Sequence, residues 1–563
     1  MDVVWLKRDA RLRDHEPLAM AASGGRVFMI LYMYEPDQLF HKTVHGSHIA
    51  FMNEGLTEMD HRLRMLSGKD EPCITTRHGE ATEILSALHS ASKITRLLSH
   101  QETGHNASYD RDRRVKRWCL QHDVIWIEVP QSAVVRGLSL RDVSWREVCD
   151  IQVESFLTAP TKESPFGSSS DAKKVLSRLR VDGTCGFLSA AKLGLPAEVV
   201  CDRAERQHGG ESYALELLSS FLNSRGEKYA GGGTISSPNT AWTQCSRLSP
   251  YYSWGHISVR TVVQEVRVRQ ATAKGRWARS LEAYLVRMEW RRSRIQDFEM
   301  RCWMEHRSVC QSWEHLRDGN TYMFGDPTLL GRSTEQQRIT AFEQGKTGYP
   351  MVDACMRCLL HTGWLNFRMR CMLASFATFN LWLDWRAIAG HLARCFLDYE
   401  PGIHYCQLQL HAGTFGGMLH CYSVTKQARE QDPDGVFIRK YVPELSSVPD
   451  ALLHEPWKMT SRPSTRSSGR RWATRYPMPI VDDRSTAEAA RKVIEAAHKS
   501  LYAGGGEESD DDMLQLALKA SVEDMSRRDD GSMDLMSQDL QALHEAHEEA
   551  ELQRAIEESL RGG

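Results

Sequence analysis

The sequence predicts an N-terminal α/β domain with a parallel sheet, followed by an all-α domain and a largely flexible helical tail. Three observations support this order. Short apolar runs alternate with helical periodicity up to about residue 130, and helical periodicity then dominates 206–445. The last sixty residues are acidic and helix-prone. With 563 residues, the chain is long enough for two or three domains with substantial cores.

Strands of the first domain are predicted from apolar and β-branched runs. Helical patterns over 50–66 and 80–92 lie between these runs. Such alternation is typical of parallel sheets whose strands are buried on both faces. The predicted strands are 3–6, 27–34, 94–100 and 124–129.

Domain boundaries follow from these changes of pattern. The α/β domain is expected at 1–130, an irregular interdomain linker at 131–205, the helical domain at 206–482 and the tail at 483–563. The linker is expected because Ser, Pro and Gly are concentrated around 160–171. Helices are predicted beyond it at 212–222, 279–290, 365–383 and 484–502.

Composition excludes several classes of protein. The 71 Lys and Arg nearly balance the 73 Asp and Glu, yet a local basic face would be enough for nucleic acid. The sequence contains no run of eighteen apolar residues, so no membrane span is predicted. The first residues do not look like a secretory signal. Fourteen scattered cysteines fit a reduced compartment, and their spacing predicts no metal site. We expect an intracellular protein that is located in the nucleus or the cytoplasm, with an organelle as the alternative location.

Six motifs in a fixed order resemble the DNA photolyase/cryptochrome family over about residues 1–482. The details SSPNTAW and DYEPGIHY are closer to its plant-like and bacterial photolyase-like branches. The resemblance implies FAD bound inside the helical domain. The matching motifs include WLKRDARLRDHEPL (5–18), GGESYALELLSSFL (209–222), SRLSPYYSWGHIS (246–258), TGYPMVDACMRCLLHTGW (347–364), DYEPGIHY (398–405) and DPDGVFIRKYVPEL (432–445).

The resemblance also implies which residues hold FAD. A helix is predicted to begin near Pro250, and the polar residues before it suit a pyrophosphate. Cys245 stands where the family often has Thr. Arg370 and Asp398 resemble the pair that flanks the isoalloxazine ring, where they would stabilise negative charge. The implied set is Tyr229, Cys245, Ser246, Arg247, Leu248, Ser249, Arg291, Arg370, Asp398, Tyr399 and Glu400.

Electrons usually reach the flavin of this family through a chain of tryptophans. Trp385 matches the middle member of that chain. The flavin-proximal position is Cys406 or a neighbour and the distal one is Arg332 or a neighbour, so the usual chain is broken. Other aromatic residues remain possible donors, namely Tyr399, Tyr405, Trp382 and Trp364.

Two functions stay open, repair of pyrimidine dimers in DNA and photoreception. Trp290 matches the aromatic shelf for a flipped dimer, and Asn366 is a further polar candidate. Arg287 stands where repair enzymes place a Glu, and Phe367 where they place an Asn. The residues expected to act in catalysis are Trp385, Trp290 and Asn366, and those expected to bind DNA are Trp290, Arg287 and Arg294.

A second, antenna chromophore is expected from the resemblance. Arg8, Asp9 and Asp14 lie in the loop where the family often binds a folate or a deazaflavin. No motif distinguishes between these two compounds.

The tail resembles two ubiquitin-interacting motifs, at 510–524 and 548–562. In each, small and apolar residues share one face of a helix after an acidic run. We therefore expect ubiquitin or ubiquitinated proteins as partners, and a light-independent ubiquitin adaptor that retains a flavin is a third reading. The expected ubiquitin-binding residues are Leu514, Ala517, Ser521, Leu552, Ala555 and Ser559.

Overall fold

A computed structural model shows an α/β domain joined to a larger helical domain. The predicted ubiquitin-binding helices at 510–524 and 548–562 and the residue Arg332 lie outside the described residues. The structure describes residues 1–140, 144–230, 237–310, 313–317, 330, 333–415, 421–459 and 476–503.

The N-terminal domain is built on a five-stranded sheet in the order β3-β2-β1-β4-β5, with every neighbouring pair parallel. The four predicted strands are confirmed, and β3 was missed. This strand reads ITTRH and lies at the sheet edge, so it lacks the apolar run that a doubly buried strand needs. The strands are β1 (Asp2–Leu6), β2 (Phe28–Tyr34), β3 (Ile74–His78), β4 (Arg96–His100) and β5 (Ile125–Val129).

Helices cover both faces of this sheet, because successive side chains of a strand point to opposite faces. Phe28 and Ile30 pack with residues of α3 on one face, while Met29 and Leu31 pack with α4 and α5 on the other. The first five helices are α1 (Glu16–Ser23), α2 (Pro36–Leu39), α3 (Gly46–Ser67), α4 (Ala81–Ala91) and α5 (Asn106–Gln121).

The segment 131–205, predicted to be irregular, contains two helices. These are α6 (Trp145–Thr158) and α7 (Ser169–Leu176). Just after α7, Leu179 forms a parallel bridge with Phe28 of β2. The segment therefore packs onto the α/β domain instead of only connecting two domains.

The helical domain confirms the helices predicted at 212–222, 279–290 and 484–502, and a π-helical turn, Phe376–Asn380, continues the one predicted at 365–383. No described helix is long and apolar enough to cross a membrane. The helices are α8 (Glu211–Asn223), α9 (Pro238–Gln244), α10 (Ser249–Ser253), α11 (Val259–Gln270), α12 (Arg276–Met300), α13 (Glu335–Glu343), α14 (Pro350–Thr362), α15 (Phe367–Ser375), α16 (Trp385–Cys395), α17 (Pro401–Ala412), α18 (Val424–Gln431), α19 (Val436–Tyr441), α20 (Asp450–Leu453) and α21 (Asp483–Ala503).

The core of the helical domain extends past residue 482. Ala490 and Ile494 of α21 are fully buried in the same apolar cluster as α14 and α16. The first part of α21 thus packs as a helix of this domain, although the sequence suggested that the tail begins at 483.

The two domains meet closely at Gly255. A Cβ atom on this residue would lie 1.9 Å from the carbonyl oxygen of Arg8, and its φ of 66° is one that side chains rarely adopt. Arg11 donates a hydrogen bond to the Gly255 carbonyl at 3.0 Å. Only glycine fits here, which fixes the helical domain against the loop after β1.

Candidate functional site

A deep cavity opens in the helical domain between α12, α15, α17 and the segment 245–253. It encloses about 1370 Å³ of empty space, counting its open mouth. Most of the residues predicted to hold FAD or substrate line it. Those in its wall are Tyr229, Cys245, Ser246, Arg247, Ser249, Arg287, Trp290, Arg291, Asn366, Arg370, Asp398, Tyr399 and Glu400.

Arg370 and Asp398 form a bidentate ion pair in the cavity wall. The two guanidinium nitrogens donate to the two carboxylate oxygens at 2.9 and 2.8 Å. Arg370 Nε also donates to the Leu365 carbonyl at 2.7 Å, and Ser253 Oγ donates to the Asp398 carbonyl at 3.0 Å. Both partners are thus held from behind, so the pair faces the cavity in one orientation.

Arg291 and Glu400 form a second, looser pair on the same wall. Arg291 Nη2 lies 3.6 Å from Glu400 Oε2, and both residues are buried. Among the described residues, Arg291 Nη2 and Glu400 Oε1 have no hydrogen-bond partner. Burial raises the pKa of Glu400, and Arg291 opposes that rise. Unsatisfied buried groups of this kind fit a ligand that both donates and accepts hydrogen bonds.

Arg247 brings a buried positive charge to the cavity. Its guanidinium packs against the rings of both Trp242 and Trp364, 3.8 and 3.9 Å from their centroids, and donates to Gln207 Oε1. Burial lowers the pKa of Arg247. No carboxylate of the described residues forms an ion pair with it, so the charge is free to hold an anion such as a phosphate.

The turn around Arg247 shapes the neighbouring wall. Arg247 itself has a positive φ of 61°, and α10 begins at Ser249, as predicted. Ser246 and Ser249 line the cavity, and Ser249 Oγ accepts a hydrogen bond from Trp364 Nε1 at 3.3 Å. Leu248, also in the predicted set, is fully buried in the domain core and is not part of the wall.

The sequence analysis missed three polar residues of the wall. The hydroxyls of Tyr252 and Tyr284 hydrogen-bond to each other at 2.8 Å beside the cavity. Both amide atoms of Gln407 on α17 are buried and without a partner among the described residues. Gln407 lies three residues after His404 and four before His411, both of which also line the cavity. Helical spacing along 400–411 would have revealed this face.

At the mouth of the cavity, an arginine packs against two aromatic rings that also contact each other. The Arg287 guanidinium lies 5.1 Å from the Trp290 centroid and 4.7 Å from that of Phe367, and the two rings meet edge to face at 5.3 Å. These three side chains form one cluster in the cavity wall, and the role of Trp290 as a shelf for a dimer stays a prediction.

Two predicted residues lie away from the cavity. Arg294 is only 2% exposed and packs under the rings of Trp290 and Phe415, so the prediction that it contacts DNA at the surface was wrong. Trp385 is fully buried outside the wall, and its indole Nε1 donates to Ser308 Oγ at 3.2 Å.

A second, smaller cavity lies at the C-terminal ends of the strands, with about 720 Å³ of empty space. Arg8 and Trp254 line it, and Tyr399 belongs to the walls of both cavities. Burial raises the pKa of Glu35 to about 7, against the opposing charge of Arg111. Its buried atoms without a hydrogen-bond partner among the described residues include Arg8 Nη1, Glu35 Oε2, Gln38 Nε2 and His105 Nδ1.

Asp9 and Asp14, expected near an antenna chromophore, stabilise the fold instead. Asp9 is buried against His100 Nδ1 at 2.7 Å and His15 Nε2 at 3.3 Å. Asp14 pairs with Arg260 across the domain junction at 2.5 Å. Neither residue lines the smaller cavity.

Comparisons with known proteins agree with this arrangement. A model of the FAD-binding domain of DNA photolyase matches residues 284–496, and a DNA photolyase model matches residues 2–142. The structure resembles a bacterial class III photolyase from Agrobacterium tumefaciens, with a TM-score of 0.70 and 19% identity over 88% of this chain and 98% of that one. It also resembles an archaeal photolyase from Sulfolobus tokodaii with two FAD molecules, with a TM-score of 0.64 and 21% identity over 88% of this chain and 100% of that one.

The relatives found by sequence include both photo-lyases and cryptochromes. A deoxyribodipyrimidine photo-lyase of Alkalihalophilus pseudofirmus is 31% identical over 48% of this chain, and the match spans only 53% of that protein. A cryptochrome DASH of Gloeobacter violaceus is 26% identical over 88% of this chain and 96% of that protein, and cryptochrome-2 of Arabidopsis thaliana is 26% identical over 87% and 78%. The chain belongs to the photolyase/cryptochrome family, and its helical domain is the FAD-binding domain of that family.

Proposed function

We propose that this protein holds FAD in the helical-domain cavity and uses blue light to drive electron transfer to pyrimidine dimers in DNA. The observation that carries the proposal is the combination of the Arg370–Asp398 pair with the unsatisfied buried atoms of Arg291 and Glu400 in one cavity. A large ligand with charged and polar parts would satisfy the free atoms of Arg291 and Glu400 and lie against the Arg370–Asp398 pair.

Each part of the wall suits one part of FAD. Arg247, with Ser246 and Ser249 beside it, would hold the phosphates, since its charge is buried and uncompensated by a carboxylate in the described part of the chain. Arg370 and Asp398 would flank the isoalloxazine ring. When bound, the flavin supplies light absorption and electron transfer. Arg370 would then stabilise negative charge on it in a site of low polarity.

The mouth suits a flipped base. Trp290 and Phe367 offer aromatic faces for stacking, and Arg287 supplies a positive charge toward DNA. Asn366, the N-cap residue of α15, also lies in the cavity wall. A pyrimidine dimer placed against this cluster would lie next to the proposed flavin.

The test is repair by the full-length, FAD-loaded protein. Oligonucleotides containing pyrimidine dimers, single- and double-stranded, are illuminated with it under reducing conditions, and restored pyrimidines are quantified. We expect repair in light and none in darkness. Trp290→Ala should abolish it, whereas Trp303→Ala, a tryptophan outside the cavity, should not. A reduced, loaded protein that restores no pyrimidine in either substrate would reject the repair function.

A cryptochrome-like photoreceptor that signals through its tail is the second candidate. The packing of Arg287 against Trp290 and Phe367 favours it, because the guanidinium lies against ring surface on which a dimer would stack. Light would then change the exposure of the tail after 503. Limited proteolysis of the whole protein in light and darkness tests this, and identical cleavage of the tail in both would argue against photoreception.

The smaller cavity is a suitable place for a second chromophore. Trp254 lines it beside Arg8, and the unsatisfied polar atoms of Arg8, Gln38 and Glu35 suit the ring edges of a folate or a deazaflavin. Extraction of the bound pigment and its absorption spectrum would distinguish the two compounds. Trp254→Ala should release the pigment while FAD stays bound.

The tail is proposed to bind ubiquitin through the two sequence motifs at 510–524 and 548–562. Two tethered weak motifs would raise the affinity for ubiquitin chains through effective concentration. Titration of the full-length protein with ubiquitin chains tests this. Ala517→Gln with Ser521→Asp should weaken binding, and unchanged binding would exclude the proposed helix face.

A further inference from the structure

Three buried polar side chains meet beside the C-terminal ends of β1 and β4, where the strand order of the sheet changes direction. Asp9 follows β1, His100 is the last residue of β4, and His15 is the N-cap residue of α1. None of the three is more than 1% exposed, and none belongs to the wall of either cavity. Open parallel sheets bind ligands in the crevice at this point of their topology. The cluster therefore lies where such a sheet can hold a ligand.

The two imidazole rings converge on one carboxylate oxygen. His100 Nδ1 lies 2.7 Å and His15 Nε2 3.3 Å from Asp9 Oδ2, while Asp9 Oδ1 accepts a hydrogen bond from the Lys7 backbone at 2.8 Å. One ligand atom of each of the three residues lies within 4.8 Å of those of the other two, and this is the one such group in the described part of the chain. His15 Nε2 has no hydrogen-bond partner of good geometry among the described residues. A buried ring nitrogen without a partner, facing a carboxylate, points to a ligand between them.

The protonation states of the cluster suit a cation. Burial would raise the pKa of Asp9, but its contacts with His100 and His15 hold that pKa far below the usual range. Burial also lowers the pKa of His100 to about 3, although the hydrogen bond to Asp9 opposes this fall. At neutral pH the cluster thus presents a carboxylate and a neutral imidazole, which are the forms that bind metal ions. The nearby charge of Arg11 disfavours a further cation, but Asp14 offsets part of that charge.

We propose that Asp9 Oδ2, His15 Nε2 and His100 Nδ1 form a site for a divalent transition-metal ion of the zinc type. Two imidazole nitrogens and one carboxylate oxygen suit such an ion, which keeps a water molecule in the fourth position of a tetrahedral shell. Mg²⁺ and Ca²⁺ are poor occupants, because both take oxygen ligands. The site depends neither on FAD nor on DNA repair.

Small movements separate the cluster from a metal shell. Bonds of about 2.0–2.1 Å to a tetrahedral ion place neighbouring ligand atoms about 3.3 Å apart. The distance from His15 Nε2 to Asp9 Oδ2 already has this value, at 3.3 Å. His100 Nδ1, at 2.7 Å, must move away by about 0.6 Å. Each ring keeps its one proton on the other nitrogen, so His15 gives up the long hydrogen bond in which its Nδ1 accepts from the Leu18 amide at 3.3 Å.

A metal ion at this site would fix the loop that joins the two domains. The loop segment between its first two ligands carries Arg11, which donates to the carbonyl of Gly255, and Asp14, which pairs with Arg260. Both Gly255 and Arg260 belong to the helical domain. Because the ion would hold both ends of this segment to β4, it should stabilise the domain junction.

The test uses the full-length protein, freed of metal by a chelator in the presence of a phosphine reductant and then mixed with one equivalent of Zn²⁺. Zinc retained after gel filtration is counted by mass spectrometry, and X-ray absorption at the zinc edge identifies the ligand atoms. We expect one ion per chain, with nitrogen and oxygen neighbours at about 2.0–2.1 Å and no sulfur at about 2.3 Å. The melting temperature should rise with Zn²⁺ but not with Mg²⁺, because an ion that binds only the folded protein stabilises it.

Two conservative variants remove one ligand each, namely His15→Asn and His100→Gln. Both should weaken Zn²⁺ binding by at least about 100-fold, since loss of an outer-shell partner alone costs about 10- to 100-fold. His78→Asn, at the exposed end of β3, should leave Zn²⁺ binding unchanged.

Sulfur neighbours of zinc in the wild-type protein, or wild-type affinity in both His15→Asn and His100→Gln, would overturn the site. Should either variant fail to fold, the wild-type protein decides by itself, because no retained zinc and an unchanged melting temperature would reject the proposal. None of these measurements needs bound FAD or DNA, so failure of the metal site leaves the proposed function untouched.

Discussion

Tyr399 lies in the walls of both cavities, but the buried charged groups of the two cavities differ in whether they are paired. In the smaller cavity, Arg111 donates to Glu35 at 3.1 Å and to Glu102 at 2.6 Å, so most of its ionised groups neutralise one another. In the larger one, the buried charge of Arg247 has no carboxylate partner among the described residues. The larger cavity is therefore prepared for an anion, whereas the smaller one suits a neutral polar ring.

The largest effect is expected from breaking the ion pair of the larger cavity with Asp398→Ala. This change leaves Arg370 with no carboxylate, and loss of one partner of a buried pair costs about 3–5 kcal/mol. We expect a matching fall in the free energy of unfolding and the loss of bound FAD. Denaturant unfolding and flavin absorbance measure the two effects.

The control for Asp398→Ala is Glu430→Gln, which breaks an exposed pair with Lys426. Surface pairs contribute little to stability, so this variant should unfold like the wild-type protein and retain FAD. Equal stability of Asp398→Ala and wild type would show that the pair is not the support of the cavity wall.

The smaller cavity should make stability depend on pH through Glu35. Its folded pKa is about 7 and its ordinary value is 4.5, so the folded state binds the extra proton between these values. Stability is then greatest below about pH 4.5 and falls as pH rises through 7, by on the order of 3 kcal/mol. Unfolding measured from pH 5 to 8 should show this fall in the wild-type protein.

Glu35→Gln removes the titrating group, so its unfolding free energy should lose this component of the pH dependence. Glu83→Gln, on the exposed face of α4, should keep it. Parallel curves for wild type and Glu35→Gln would mean that Glu35 stays ionised, and the contrast between the two cavities would then disappear.

Sequence patterns predicted most of the fold because doubly buried strands and amphipathic helices leave periodic signals. They failed where the signal is absent, as in the polar edge strand β3 and in α6 and α7. Within the site, the resemblance to the family implied the pair of Arg370 with Asp398. It could not reveal that Arg294 points into the core, since burial depends on packing between helices far apart in the chain.

A smaller effect is expected at the mouth of the larger cavity from Arg287→Ala. Removing this charge should weaken binding to dimer-containing DNA about tenfold and lower the slope of log affinity against log salt by about 1. Fluorescence anisotropy at several salt concentrations measures both. Arg113→Ala, an exposed arginine on α5, should leave the affinity nearly unchanged. Tighter binding in Arg287→Ala would instead identify Arg287 as an obstruction, as the photoreceptor function expects.

The smallest effect is expected from Gln407→Leu, which should stabilise the FAD-free protein but weaken the binding of FAD. Gln407→Leu removes two buried amide atoms that have no partner among the described residues, so the FAD-free protein should gain about 1 kcal/mol of stability. If the amide contacts FAD, the same change should weaken FAD binding about five- to tenfold. Gln264→Leu is the matched control, because its amide donates to the carbonyls of Leu157 and Ala159 at 2.7 and 2.8 Å and its loss should only destabilise. A Gln407→Leu protein that is less stable without FAD would show that this amide is satisfied by the fold itself, and the larger cavity would then depend on its charged groups alone.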